Sequence, residues 1–123
     1  MGNILLVDTT ELVTEIIGDQ LEANLGGYQV IRARTCQEAI DYLSHYEIDY
    51  VITEYYLDDG VYGTKLLEQF NGPGLLLSFD DIKYKADAIG AGFIQKNQGS
   101  LNRLIHDWII TQPCKEALKE TMH

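Results

Sequence analysis

The stretch Tyr50-Val51-Ile52-Thr53-Glu54 sets the pattern for the whole chain, because a short run suited to a buried strand ends on a single acidic side chain. Three other apolar runs are closed in the same way by one polar residue: residues 4–7 by Asp8, residues 74–77 by Ser78 and residues 92–95 by Lys96. In an open parallel sheet the carboxyl ends of the strands meet at one edge, where ligands bind. We therefore expect these four polar side chains to converge on one site.

Helical patterns separate these runs and predict an α/β fold with a parallel sheet covered on both faces. Between residues 12 and 21 apolar residues recur at helical spacing, and Thr9 or Thr10 is placed to cap that helix. Residues 28–31 read as a further strand. The tetrapeptide Thr35-Cys36-Gln37-Glu38 matches a capping box and predicts the start of the next helix.

The length and composition predict one globular domain. The chain has 123 residues, of which 46% are hydrophobic and 23% charged, and this is enough apolar surface for a sizeable core. We place the domain at residues 1–112 and a polar tail at residues 113–123, because Pro113 interrupts the last helical pattern. The start of the chain shows no basic segment followed by a long apolar run, so we expect neither a signal peptide nor a membrane span.

The charge balance and the two cysteines exclude several classes of site. A formal charge of -10 argues against nucleic-acid binding, which needs clustered Lys and Arg to contact phosphates. Cys36 and Cys114 are far apart and show no metal-ligand spacing, so we expect reduced thiols in a cytoplasmic protein, without a disulfide or a zinc site.

Taken in order, the four strand-end residues resemble the site of receiver domains of two-component response regulators, and the resemblance covers roughly residues 3–112. It implies a doubly wound, flavodoxin-like fold with five parallel strands in the order 2-1-3-4-5. The segment from Ser78 to Lys96 is shorter than is usual in that family. We therefore predict a shortened fourth helix.

The resemblance implies that Glu54 occupies the position of the phosphoacceptor aspartate, and that Thr9 replaces one of two metal-binding acids beside Asp8. The extra methylene of glutamate displaces the attacking oxygen by about 1 Å, and such an error costs roughly a hundredfold in rate. Asp8, Glu54 and the backbone carbonyl of Tyr56 remain as oxygen ligands, so we expect magnesium binding to be weak or absent. No other cofactor is expected.

The resemblance also assigns roles around the rest of the pocket. It implies that Ser78 holds the position of the hydroxyl that follows the phosphoryl group, and that Phe93 holds the position of the switch aromatic. Phe79 stands where the family has a small residue and is expected to cover the pocket. Lys96 is expected to pair with the nearby carboxylates, since a buried lysine is costly without them. Asn97 replaces the cis-linked proline that usually follows.

Three functions are compatible with these features. The first is a non-enzymatic interaction module that acts without aspartyl phosphorylation and contacts a signalling protein (a histidine kinase or an output protein) or forms a homodimer. The second is a phosphoacceptor in a phosphorelay, with Glu54, Asp58 or Asp59 as the nucleophile. The third is a small-molecule binder at the same sheet edge, which the acidic stretch Asp8-Thr9-Thr10-Glu11 disfavours for anionic ligands.

Overall fold

The computed structural model describes residues 2–97 and 99–112, so the predicted tail and Cys114 lie outside the described residues. Within them the chain forms one five-stranded sheet, built from β1 (Gly2–Val7), β2 (Tyr28–Ala33), β3 (Tyr50–Glu54), β4 (Gly74–Ser78) and β5 (Gly92–Gln95). The strands lie in the order β2-β1-β3-β4-β5 and every neighbouring pair is parallel. The predicted fold class and strand order are confirmed.

The helices alternate with the strands. A π-helical segment, Leu12–Ile17, continues into α1 (Gly18–Asn24), and the later helices are α2 (Cys36–His45), α3 (Gly63–Glu68), α4 (Lys83–Ala88) and α5 (Leu101–Thr111). With six residues, α4 is as short as predicted. Across residues 2–97 and 99–112 no helix has the length and apolar character needed to cross a bilayer.

The sheet has an apolar core on each face, because successive side chains of a strand point to opposite sides. Ile4 and Leu6 of β1 pack with the π-helical segment, α1 and α5, whereas Leu5 and Val7 pack on the side of α2, α3 and α4. Near-continuous burial along β1, β3 and β4 is what a strand covered on both faces requires.

The first helix departs from its sequence prediction. Neither Thr9 nor Thr10 caps it through a side chain, since the segment begins after Glu11 without a side-chain cap. Leu12 and Ile16 are 61% and 53% exposed, so the apolar stripe is wider than the face that the core covers. The hydroxyls of both threonines are instead engaged by carboxylates at the end of the sheet.

Candidate functional site

The carboxyl ends of β1, β3, β4 and β5 form the candidate site. Asp8 follows β1, Glu54 and Ser78 are the last residues of β3 and β4, and Lys96 follows β5. The backbone N–H of Lys96 donates to the carbonyl of Ser78 over 2.8 Å, which extends the pairing of β4 and β5 by one step. The parallel register therefore delivers these side chains to one edge, as the sequence pattern predicts.

Asp8, Glu54 and Lys96 form one buried charge cluster. Lys96 Nζ lies 2.7 Å from Asp8 Oδ2 and 3.2 Å from Glu54 Oε1. The side chains of Asp8 and Lys96 are 0% and 2% exposed, and that of Glu54 is 15% exposed. A buried ammonium is costly unless carboxylates compensate it, so this arrangement explains why a lysine is tolerated here.

Two threonines hold the carboxylates in place. The N–H and the hydroxyl of Thr9 both donate to Glu54 Oε2, over 2.9 and 2.7 Å. The N–H and the hydroxyl of Thr10 donate in the same way to Asp8 Oδ1, over 2.9 and 2.8 Å. Thr9, which stands where the resemblance implies a second acid, is thus a double donor to Glu54.

The two acids respond to this environment in opposite directions. Burial raises the pKa of Asp8 above its ordinary value, and the Lys96 ammonium offsets that effect only in part. Burial also acts to raise the pKa of Glu54, but the Thr9 donors and Lys96 outweigh it and the pKa is lowered. Glu54 is therefore the acid that the site stabilises as an anion.

The oxygen donors fit a magnesium ion poorly. Magnesium needs near-octahedral oxygen coordination. Three of the four carboxylate oxygens of Asp8 and Glu54 accept hydrogen bonds from Thr9, Thr10 or Lys96, and the fourth, Asp8 Oδ2, contacts the Lys96 ammonium. Among the described residues no group of three or more His, Cys, Asp or Glu side chains is arranged to hold a metal.

Ser78, Phe79 and Phe93 are the other residues to which the resemblance gives a place in the pocket. The Ser78 side chain is buried, and its Oγ accepts the N–H of Asp80 over 3.1 Å. The Phe79 ring is 63% exposed and its centroid lies 5.2 Å from Lys96 Nζ, so it lies beside the charge cluster on its outer side. Phe93 is half-buried and packs against the core on the side of α2, α3 and α4.

The segment after β3 contains contacts that the sequence did not reveal. Asp58 forms an ion pair with Arg34 over 3.0 Å. Asp59 accepts the N–H groups of Cys36 and Gln37, each over 3.2 Å, at the start of α2. Asp58 and Asp59 thus each have a structural partner, and Asp59 has one because free amides at a helix N-terminus attract a carboxylate.

The remaining predicted site residue, Tyr56, lies two residues beyond Glu54. Its backbone forms an isolated antiparallel bridge with Tyr62, and its side chain is 59% exposed. Tyr56 thus lies next to a second exposed tyrosine, Tyr62, with the two ring centroids 4.9 Å apart.

No protein-family model matches the chain, and no curated protein matches it. Solved structures do match. The non-phosphorylated HemR receiver domain from Leptospira biflexa aligns with a TM-score of 0.77 and 27% identity, over 93% of this chain and 98% of that one. The chemotaxis response regulator CheY4 of Vibrio cholerae aligns with a TM-score of 0.74 and 20% identity, over 89% and 98%.

A third match is the beryllofluoride-activated NtrC4 receiver domain, a dimer in solution, with a TM-score of 0.71 and 22% identity over 85% of this chain and 91% of that one. The strand order and the placement of the helices agree with these neighbours. The likenesses support a receiver domain, and they show that this chain has the fold of response-regulator receiver domains.

Proposed function

We propose that this chain is a receiver-like signalling module that works by binding another protein, without phosphorylation at Glu54. The observation that carries the proposal is the engagement of the Glu54 carboxylate. One oxygen accepts two hydrogen bonds from Thr9 and the other accepts one from Lys96. A nucleophile held in this way lacks an oxygen free to align with a phosphodonor.

The surrounding chemistry supports the same conclusion. Phosphoryl transfer is driven by positioning and by charge stabilisation, and a magnesium ion normally supplies much of the latter. Here Thr9 replaces an acid, and the remaining carboxylate oxygens face donors from Thr9, Thr10 and Lys96. The buried ion pair therefore acts as a fixed structural element in this proposal, and the pocket works without bound metal.

The proposal includes a class of partner and a location. We propose a histidine kinase or an output protein of a cytoplasmic signalling system as the partner, and no catalysis by the chain itself. The NtrC4 receiver domain forms a dimer, so a homodimer is a second arrangement to examine. Sedimentation velocity of the purified chain distinguishes these arrangements.

The decisive experiment treats the native chain with acetyl phosphate and magnesium and then measures its intact mass. We expect no added phosphoryl group, and no difference between the native chain and Glu54→Gln. The variant Glu54→Asp with Thr9→Asp restores the acids that the resemblance implies, and we expect it to gain one acid-labile phosphoryl group. Phosphate on Glu54 of the native chain would refute the proposal, and phosphate on Asp58 or Asp59 would favour the phosphorelay function.

A further inference from the structure

Exposed aromatic residues lie in the segments that follow β3 and β4, and the proposed function leaves them unexplained. Tyr56, Phe79 and Tyr84 are 59%, 63% and 67% exposed, and Tyr62 is 42% exposed. We call these four residues the aromatic rim. Single exposed apolar residues are ordinary on a protein surface, but a group of large ones at the ligand edge of a sheet indicates an interaction site.

Ring contacts connect most of the rim. Tyr62 stacks on Tyr55 with centroids 4.6 Å apart, and Tyr56 meets Tyr62 edge-on at 4.9 Å. Lys85 of α4 joins this group to Tyr84, because its Nζ lies 6.0 Å from the Tyr62 centroid and 5.9 Å from the Tyr84 centroid. Tyr56, Tyr62 and Tyr84 are thus connected across the β3–α3 segment and α4, and Phe79 directly follows β4.

Three lysines lie on or next to the rim, and two of them pair with acids. Lys96, whose Nζ is 5.2 Å from the Phe79 centroid, pairs with Asp8 and Glu54. Lys85 Nζ donates to the Tyr55 hydroxyl over 2.5 Å, and this hydrogen bond places the ammonium at the polar edge of that ring. Lys83 pairs with Asp87 over 2.9 Å. Lys85 therefore keeps its positive charge beside the tyrosine rings, whereas Lys83 and Lys96 are compensated by acids of their own.

Two acidic side chains follow the rim residue Phe79 directly in the chain. Asp80 and Asp81 stand between Phe79 and α4 in the chain, and both are exposed. Across residues 2–97 and 99–112 their carboxylates form no hydrogen bond and no ion pair. The formal charge of the whole chain, -10, favours the approach of positively charged partners.

We propose that the aromatic rim, together with Asp80 and Asp81, binds an arginine-bearing segment of a partner protein. A guanidinium group stacks on an aromatic face and at the same time donates two hydrogen bonds to a carboxylate. A lysine ammonium offers only a point charge, so the surface distinguishes the two. This inference rests on the proposed interaction function and specifies the chemistry of the partner.

The test is a binding titration with a short fluorescein-labelled peptide of alternating arginine and glycine, followed by fluorescence anisotropy. The same peptide with lysine in place of arginine is the matched probe. We expect the arginine peptide to bind more tightly, with Tyr84→Ala weakening it about two- to fivefold. Asp80→Asn with Asp81→Asn should weaken it about two- to tenfold, and added salt should reduce the difference.

A remote tyrosine provides the control variant. Tyr46 follows α2 and is 49% exposed, so Tyr46→Ala removes a comparable ring from another surface. We expect it to leave binding of the arginine peptide unchanged. Equal affinity for the arginine and lysine peptides, an equal loss in Tyr46→Ala, or no binding of the arginine peptide would overturn the inference.

The outcome is independent of the phosphorylation experiment. Phosphate on Glu54 would refute the proposed function and leave a measured arginine preference in place. Loss of that preference would refute the aromatic rim as the partner site and leave the unphosphorylated pocket in place. The two failures are therefore distinguishable.

Discussion

Two segments leave the same edge of the sheet and differ in how they are held. The β3–α3 segment, residues 55–62, is anchored to the neighbouring helix. Within it, Leu57 is buried, Asp58 pairs with Arg34, and Asp59 accepts two amides at the start of α2. Its path is set by contacts to a part of the chain more than twenty residues earlier.

The β4–α4 segment, residues 79–82, is held by hydrogen bonds to the ends of β4 and β5. The Phe79 carbonyl accepts a hydrogen bond from the Gln95 side chain over 2.9 Å, and the N–H of Asp80 donates to Ser78. The side chains of Phe79, Asp80 and Asp81 remain exposed.

Both segments carry two consecutive aspartates, and the comparison shows what decides their role. Asp59 reaches unpaired amides of α2 and becomes part of the structure, whereas Asp80 and Asp81 reach no donor within the described residues. A carboxylate near a helix N-terminus is stabilised by the exposed N–H groups there. A carboxylate without such donors stays available for a partner, and this difference underlies the inference about the aromatic rim.

Replacing Lys96 should destabilise the strand ends from which both segments leave. Its backbone pairs with the end of β4 and its ammonium pairs with Asp8 and Glu54. Lys96→Met leaves two buried carboxylates without their cation, and we expect a loss of about 3–5 kcal/mol in the free energy of unfolding, measured by urea titration.

The control is Lys83→Met, which removes an exposed pair with Asp87 and should cost less than about 0.5 kcal/mol. Adding Asp8→Asn and Glu54→Gln to Lys96→Met removes the unpaired charges, so part of the lost stability should return. If Lys96→Met were as mild as Lys83→Met, the buried cluster would not hold the two segments together.

Replacing Asp59 should loosen the anchored segment. Asp59→Asn weakens the bonds to the Cys36 and Gln37 amides, and we expect a loss of about 1 kcal/mol, as for other helix N-terminal caps. Asp81→Asn is the matched change in the β4–α4 segment and should alter the free energy of unfolding by less than about 0.5 kcal/mol. Urea titration of both variants measures the difference, and equal effects would contradict the comparison.

The pH dependence of the stability lost in Asp59→Asn provides a second measurement. Burial acts to raise the pKa of Asp59, but the α2 amides outweigh it and lower the pKa below its ordinary value of 3.8. A depressed pKa adds stability that is present above the ordinary value and is lost as the pH falls through the lowered one. The difference in the free energy of unfolding between the native chain and Asp59→Asn should therefore be largest at about pH 7 and shrink below about pH 4. If this difference in the free energy of unfolding grew as the pH fell, the pKa of Asp59 would not be lowered by folding.

The polar residues at the strand ends could be predicted from the sequence because their positions depend on the order of neighbouring residues along the chain. An apolar run buried on both faces has to end where a polar residue appears, and parallel topology then brings the ends together. This reasoning located Asp8, Glu54, Ser78 and Lys96 at one edge, and the short link between Ser78 and Lys96 predicted a reduced α4.

Contacts between loops could not be predicted in this way. Asp59 and the amides it accepts are separated by 22 and 23 residues, and no periodic pattern relates a loop carboxylate to a distant helix start. The π-helical turn after β1 was missed for a related reason. Arg32 of β2 donates to the carbonyl of Thr14 within that turn over 2.6 Å, and this tertiary contact is invisible to a helical pattern of apolar residues.

The smallest predicted effect concerns a hydrogen bond that joins the β3–α3 segment to α4. The Tyr55 hydroxyl accepts from Lys85 over 2.5 Å, and Tyr55→Phe removes the acceptor while keeping the ring that stacks on Tyr62. We expect a smaller loss of stability than in Asp59→Asn, because this bond lies near solvent and is not a helix cap. Its main consequence should be faster amide hydrogen exchange in α4, with exchange in α2 unchanged.

Tyr84→Phe is the control, since the Tyr84 hydroxyl forms no hydrogen bond within the part of the chain that the structure describes. It should leave exchange in α4 at the native rate. Faster exchange in Tyr55→Phe alone would mean that the hydrogen bond from Lys85 to the β3–α3 segment helps to stabilise α4. Equal exchange in both variants would mean that α4 is ordered by its own packing on the sheet through the buried Ala86, and that the two segments are independent.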